Sequence, residues 1–244
     1  GAVEISNANL ADYCGKQKFS DSELPDILPC GTVPVLAVSD KGGFLFVAEV
    51  TYGRHPGRRK IAMKGVRESG ESKDAINKIA ESMEKVFDAL TSEGGLLFDR
   101  LKDIEEEWGC PIILEGNLTD GAIPKDGPSA GLSFFLAVYG ALTKKSIKPR
   151  PEVPLTAATG EIEVNLDNVG KIGGLRDKIL AAARRGVKRC LVPKANEVDL
   201  KDIPEEIRRE MTIIPIESRW KALIIAYPED QQVIQEYLSN RQSS

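Results

Sequence analysis

The chain has 244 residues, 33 basic and 37 acidic side chains, a formal net charge of −4, and 41% apolar residues. A chain of this length buries roughly 70% of the surface that its unfolded form exposes, so it can build a core without disulfides or metals. The slight negative charge argues against bulk attraction to nucleic-acid phosphates or anionic membranes. The longest nearly apolar run, 130–143, is shorter than the roughly 20 residues that span a bilayer.

The cysteines and the single histidine limit the chemistry further. Cys14, Cys30, Cys110 and Cys190 lie far apart and form no CxxC motif, which argues against a zinc site or a dense disulfide framework. Unpaired thiols favour a reducing compartment. His55 is the lone histidine, so schemes that need two histidines are excluded. We therefore expect neither a metal nor a cofactor in this chain.

The first half of the chain predicts strands followed by helices. The expected elements, in order, are a small antiparallel sheet within 33–66, a helix capped at Ser72 with apolar residues at helical spacing up to Leu90, a helix over 96–108, a strand over 111–114 and a loop over 115–128.

The second half begins with a helix over 129–142 that is apolar around its whole circumference and should be surrounded by protein. The later expected elements are a strand over 155–165, a tight turn over 170–174, a helix over 175–186, strands over 190–192 and 213–216, and two short helices within 218–238 broken near Pro228. Intermixed strands and helices without a long linker predict one compact mixed α/β (α+β) domain over 31–244, with residues 1–30 as a loosely attached lead-in.

One candidate nucleophile lies where the long loop enters the apolar helix. Residues 127–131 match the pattern GxSxG, with Ser129 at its centre. Ser129 could be an ordinary N-cap, since its hydroxyl can accept a hydrogen bond from an amide of the first turn. Alternatively its hydroxyl is a nucleophile, with the helix amides stabilising an oxyanion. Position alone leaves both interpretations open.

A serine hydroxyl needs a base to remove its proton. No histidine follows Ser129, which excludes the order found in α/β-hydrolases, and His55 lies in a basic hairpin tip where nothing orients it. A lysine whose charged form is disfavoured by burial is the remaining candidate. Lys178 lies at the edge of an otherwise apolar stripe on the 175–186 helix, although it could equally extend its amine outward to water.

A longer pattern connects these residues. The string Pro-Lys-Asp-Gly-Pro-Ser-Ala-Gly at 124–131, the triplet Thr-Gly-Glu at 159–161 and the segment 173–178 resemble the proteolytic domain of Lon proteases. Segments 3–13 and 181–196 resemble, respectively, that family's lead-in from its ATPase module and its helix-strand segment. The resemblance implies a Ser-Lys dyad, with Ser129 as nucleophile and Lys178 as general base. It also implies that Thr159 orients the lysine amine and that Asp126 is a nearby carboxylate that tunes it.

The same resemblance implies a serine endopeptidase that degrades unfolded or damaged proteins, assembles as a homo-hexamer, and is driven by an upstream ATPase module that uses ATP and Mg²⁺. This chain has no Walker A motif, because Glu71 follows Gly70 where the phosphate-binding lysine belongs. We expect a cytoplasmic location, or alternatively the mitochondrial matrix, and no membrane. A nucleic-acid contact through the basic cluster 54–60 is left open.

Three departures from the family pattern are visible. Asp120 stands before Gly121 where the family usually has a Glu. The 49-residue separation of Ser129 and Lys178 is longer than usual, with the additional residues mostly in 144–154, and 60–77 matches poorly. Two other function classes remain: a non-catalytic ring-assembly module in which Ser129 is only a cap, and a hydrolase of small esters or amides.

Overall fold

The computed structural model describes residues 24–39, 42–55, 57, 60–64, 72–118, 128–162 and 167–242. Within these residues the strands are β1 (Thr32–Ser39), β2 (Gly42–Arg54), β3 (Lys60–Lys64), β4 (Ile112–Leu118), β5 (Thr156–Ala158), β6 (Glu161–Ile162), β7 (Val169–Gly170), β8 (Arg189–Pro193) and β9 (Thr212–Ile216). The α-helices are α1 (Ser72–Thr91), α2 (Phe98–Trp108), α3 (Gly131–Thr143), α4 (Leu175–Arg184), α5 (Glu205–Glu210), α6 (Arg219–Ala226) and α7 (Gln231–Gln242). Short 3₁₀ segments lie at Pro128–Ala130, Lys194–Asp202 and Pro228–Asp230.

One mixed sheet organises the molecule. Its strand order is β3-β4-β2-β1-β5-β8-β9, while β6 and β7 form a separate antiparallel pair. Strand β2 pairs antiparallel with β1 and β4, and the other pairs of the large sheet are parallel. The expected single mixed α/β domain is confirmed. No helix in the described part of the chain is both long and apolar enough to cross a bilayer.

Helix α3 lies at the centre of this fold. All of its residues from Gly131 to Leu142 are buried, as expected from a helix that is apolar on every side. It contacts β1, β2 and α1. At Gly140 the side-chain hydroxyl of Tyr227 would lie only 2.4 Å from an added Cβ, and that hydroxyl donates a hydrogen bond to the carbonyl of Leu136 (2.8 Å). Packing along the whole helix therefore fixes the position of α3, including its N-terminal end.

Some sequence predictions were wrong in detail. Strand β3 pairs in parallel with β4, so the three strands within 33–66 are not a separate antiparallel sheet. Residues 115–118, expected in a loop, continue β4. Burial alternates along this strand, and the polar residues Glu115 and Asn117 occupy its less buried positions, as an alternating strand allows. The expected strand over 155–165 is interrupted at Thr159 and Gly160. Helix α5 and the 3₁₀ segment over 194–202 were not predicted.

The described end of the lead-in contacts the long connection after α3. Leu28 is buried, and its amide donates to the carbonyl of Lys148 (3.0 Å). The buried ammonium of Lys148 in turn donates to the carbonyl of Asp26. The division into a lead-in over 1–30 and a domain over 31–244 stays a prediction, because residues 1–23 lie outside the described residues.

Replacing Phe135 by Ala should lower the free energy of unfolding by about 3 to 5 kcal/mol, because it removes a large ring from the core. Phe135 is fully buried, and its ring meets that of Trp220 edge-on with centroids 5.6 Å apart. Urea unfolding followed by circular dichroism measures the loss. Val198→Ala is the matched control, because Val198 is 66% exposed, and we expect a change within about 0.5 kcal/mol. An equal effect of both substitutions would contradict this description of the core.

Candidate active site

Ser129 lies in the 3₁₀ turn that leads into α3. The helix begins at Gly131 with Ala130 at its N-cap position, so Ser129 is not the cap of this helix. Its carbonyl accepts hydrogen bonds from the amide of Gly160 (2.8 Å) and the hydroxyl of Thr159 (3.3 Å). These two bonds hold the Ser129 backbone against the residues that follow β5 and leave its side chain free to turn elsewhere.

The interruption after β5 creates this attachment. The amide of Thr159 still bonds to the carbonyl of Leu191 on β8 (3.1 Å), so Thr159 is held by the sheet, and it is fully buried. At Gly160 an added Cβ would lie 2.2 Å from Cγ1 of Val169, so a larger residue does not fit. The carbonyl of Gly160 accepts from the amide of Leu132 (3.0 Å), which secures the first turn of α3 to the same point.

Lys178 reaches this point from α4. Its amine lies 3.0 Å from the hydroxyl of Ser129 and 3.2 Å from the hydroxyl of Thr159. The side chain is almost entirely buried, so the amine does not extend outward to water as the alternative interpretation allowed. Burial disfavours the charged form and lowers the pKa of Lys178 from 10.5 to about 8.

This arrangement has a definite chemical capacity. A neutral amine has N–H donors and one lone pair, so it can donate to Thr159 while the lone pair accepts the proton of the Ser129 hydroxyl. Near pH 8 a large share of the molecules carries the neutral form. The three side chains thus combine a hydroxyl, an amine of lowered pKa and a second hydroxyl within hydrogen-bond distance of that amine.

The sequence analysis also considered Asp126 and His55. Asp126 lies outside the described residues, so its expected place near Lys178 stays a prediction. His55 follows β2, and its Nδ1 accepts a hydrogen bond from the amide of Gly57 (3.3 Å). The described part of the chain does not connect His55 to Ser129.

Sequence reasoning missed two residues that support the site. The buried hydroxyl of Ser133 donates to the carbonyl of Ala158 (2.7 Å) and so joins α3 to β5. Ser133 lies four residues after Ser129, and this helical spacing is the sequence signal that could have identified it. Gly43 lies so close to α4 that an added Cβ would be 1.9 Å from the carbonyl oxygen of Asp177. Gly42 and Gly43 lie between two predicted strands, where a turn alone explains a Gly-Gly pair.

Comparison with known sequences identifies the family. The model of the Lon protease (S16) C-terminal proteolytic domain matches residues 4–227. The chain belongs to this family. It is 31% identical over 214 residues to a Lon protease of Rickettsia bellii (strain RML369-C), which covers 88% of this chain and 25% of that protein. It is 32% identical over 229 residues to a Lon protease of Vibrio parahaemolyticus serotype O3:K6 (strain RIMD 2210633), which covers 94% of this chain and 27% of that protein.

Together these matches define what the chain represents. It spans about a quarter of the length of the curated Lon proteases it matches, and the matched part is their proteolytic domain. The predicted resemblance to Lon proteases is confirmed, and the domain is of the Lon peptidase type.

The depressed pKa of Lys178 has a consequence for stability. The folded state binds this proton less tightly than the unfolded state, so the contribution of Lys178 is unfavourable below pH 8 and the penalty disappears as the pH rises from about 8 to 10.5. Lys178→Met removes the penalty. We expect its stability, relative to the unchanged chain, to be greater at pH 6 than at pH 11 by up to about 3 kcal/mol.

Urea unfolding of both proteins at the two pH values measures this difference, and other titrating groups cancel in the comparison. Lys171→Met is the control, since the Lys171 side chain is 58% exposed. A pH-independent difference between Lys178→Met and the unchanged chain would show that the amine is not desolvated.

Proposed function

We propose that this domain is a serine endopeptidase with a Ser-Lys catalytic dyad, in which Ser129 is the nucleophile and Lys178 the general base. The observation that carries the proposal is the 3.0 Å contact between the Lys178 amine and the Ser129 hydroxyl, with the amine buried and its pKa lowered to about 8. Membership of the Lon proteolytic-domain family supports peptide-bond cleavage as the reaction.

The first step is acylation. Ser129 attacks the scissile carbonyl while neutral Lys178 accepts the hydroxyl proton, and the resulting ammonium returns that proton to the leaving amine. The product is an ester between Ser129 and the acyl part of the substrate. In the second step Lys178 activates a water molecule, and hydrolysis of the ester regenerates the serine.

The negative charge of the tetrahedral intermediate needs hydrogen-bond donors. The first amides of α3, around Ala130 and Gly131, lack intrahelical acceptors, and the positive end of the helix dipole lies at the same place. We assign the oxyanion site to backbone amides near Ser129. Thr159 orients the Lys178 amine through the 3.2 Å contact, and Asp126 remains the candidate for a further tuning carboxylate.

For the whole protein we propose ATP-dependent degradation of unfolded or damaged polypeptides. The relatives that support this are named Lon protease and are about four times longer than the matched segment. In this proposal an upstream ATPase module binds ATP and Mg²⁺ and delivers substrate, the assembly is a homo-hexamer, and the location is the cytoplasm or the mitochondrial matrix.

The dyad is tested by cleavage of a permanently unfolded protein, such as casein, by the purified chain and its Ser129→Ala and Lys178→Ala variants. We expect both variants to lose cleavage by at least about 1,000-fold, because either change disables the same chemical step. The rate of the unchanged chain should rise with pH around an apparent pKa near 8. Lys171→Ala, which removes an exposed lysine, is the control and should cleave normally.

Other results would point elsewhere. Cleavage of small esters without cleavage of casein would favour the small-molecule hydrolase. Folded Ser129→Ala protein that cleaves casein at the normal rate would contradict the dyad. If the unchanged chain is inactive alone, the same variants are compared in a full-length Lon protein that carries this domain, with ATP present, and equal activity of all variants there would overturn the proposal.

Thr159→Val tests the orienting role separately. The substitution keeps the shape of the side chain but removes the hydroxyl that contacts both the Lys178 amine and the Ser129 carbonyl. We expect kcat to fall roughly 10- to 100-fold with KM nearly unchanged, since a misoriented base affects the chemical step more than substrate binding. Steady-state kinetics on a fluorogenic peptide measure both constants, and an unchanged kcat would remove Thr159 from the mechanism.

A further inference from the structure

Helix α4, which carries Lys178, rests on the end of the β1–β2 hairpin. Gly174 precedes the helix with a left-handed backbone (φ 64°), and an added Cβ there would lie 2.9 Å from Cγ1 of Val38 on β1. On the neighbouring strand, Gly43 faces the first turn of α4. We call the contact formed by Val38 and Gly43 with Gly174, Asp177 and Lys178 the α4 seat.

Gly43 permits an unusually close approach in this seat. A Cβ at Gly43 would lie 1.9 Å from the carbonyl oxygen of Asp177, 2.4 Å from its carbonyl carbon and 3.0 Å from the amide nitrogen of Lys178. All three atoms are backbone, so no side-chain rotation relieves the overlap. An alanine here would require α4 and β2 to separate by about 1.5 Å, which brings the 1.9 Å approach to an ordinary contact of 3.4 Å.

Such a separation acts directly on the base. The Lys178 amine lies 3.0 Å from the Ser129 hydroxyl, and hydrogen bonds weaken steeply beyond about 3.2 to 3.5 Å. The Lys178 backbone amide is itself one of the atoms that an added Cβ would meet. A shift of the first turn of α4 therefore lengthens the amine-to-hydroxyl contact and admits water around the amine.

A second contact holds the two elements together. Nη2 of Arg184, in the last turn of α4, donates a hydrogen bond to the carbonyl of Gly43 (3.1 Å). Gly43 thus contacts both ends of the helix: its Cα lies against the Asp177–Lys178 backbone, and its carbonyl accepts from Arg184. This residue is adjacent to neither Ser129 nor Lys178 in sequence, and its own atoms have no part in the reaction.

We propose that Gly43 is a positioning residue for the general base: its missing side chain lets β2 approach α4 closely enough to set the Lys178 amine against Ser129, and Arg184 holds this approach through the Gly43 carbonyl. The inference rests on the proposed Ser-Lys function. It adds a residue whose effect is on the geometry and hydration of the base, so it predicts altered chemistry in a folded protein.

The test is Gly43→Ala, with Gly53→Ala as the matched control. Both glycines lie on β2, but a Cβ at Gly53 would meet only Cγ2 of Ile113, at an ordinary 3.7 Å. We expect Gly43→Ala to lower kcat about 100-fold with little change in KM, since a 1 Å misplacement of a reacting group has an effect of that size. Its pH–rate profile should also move to higher pH, because water around the amine raises the pKa of Lys178 toward 10.5.

The pH profile separates positioning from instability. A variant that is merely less folded loses amplitude at every pH and keeps its apparent pKa. Active-site titration and circular dichroism give the folded, competent fraction. A Gly43→Ala protein that is folded, with normal kcat and an unshifted profile, would overturn the proposal.

Arg184 variants keep the test decisive if Gly43→Ala does not fold. Arg184 is exposed, so its replacement should leave the core intact. We expect Arg184→Met to lower kcat roughly threefold to tenfold, as loss of one charge-assisted hydrogen bond, with a smaller shift of the profile in the same direction. Arg184→Lys should restore part of the rate. Equal kcat and equal profiles for all three side chains at 184 would contradict the proposal.

The reference variants distinguish failure here from failure of the proposed function. If Ser129→Ala and Lys178→Ala abolish cleavage while the Gly43 and Arg184 variants behave normally, only the positioning role is wrong. If Ser129→Ala and Lys178→Ala cleave normally, the dyad itself is wrong.

Discussion

The site depends on keeping the amine of Lys178 out of water. Burial disfavours the ammonium, and the described neighbours of the amine are the neutral hydroxyls of Ser129 and Thr159. A carboxylate in direct contact with the amine would stabilise the charge and raise the pKa, so the proposed tuning role of Asp126 requires that its carboxylate does not contact the amine directly. The two hydroxyls form hydrogen bonds with the amine but carry no negative charge, so they do not stabilise the ammonium as a carboxylate would. The fold therefore accepts a destabilising buried lysine at neutral pH, and this cost is what gives the group its capacity to accept a proton.

Three rigid elements bring the site together, and each is fixed by a different physical cause. Helix α3 is buried all around, so the turn that carries Ser129 cannot shift alone. Thr159 continues the hydrogen bonding of the sheet and holds the Ser129 carbonyl through its hydroxyl. Helix α4 lies on the β1–β2 hairpin at a distance that only glycine at position 43 allows. Side chains held by helices and strands in this way keep their relative positions more accurately than side chains on loops.

Many of the helices and strands, and the two main site residues, could be predicted from local sequence. The remaining features of the site depend on close contacts between segments that are distant in sequence. The all-round apolar pattern correctly predicted the burial of α3. The prediction of two C-terminal helices that are interrupted near Pro228 is also confirmed, and Ser218 caps α6. Lys178 was identified on a stripe margin, but periodicity could not decide between a buried and an exposed amine. The interruption at Thr159 and Gly160 was missed because strand-forming residues continue on both sides. The role proposed for Gly43 could not be predicted from the sequence, because a turn alone accounts for a Gly-Gly pair between two strands.

The most direct test of the proposed base is the pKa of the Lys178 amine in the folded chain. Lysine labelled with ¹³C at Cε gives one signal per side chain, and the Lys178→Ala variant assigns the signal of interest. Titration from pH 6 to 12 should place its midpoint near 8, well below the ordinary lysine value of 10.5. A midpoint at about 10.5 for Lys178 would mean that the amine is solvated and charged at neutral pH, and the proposed base would have to be abandoned.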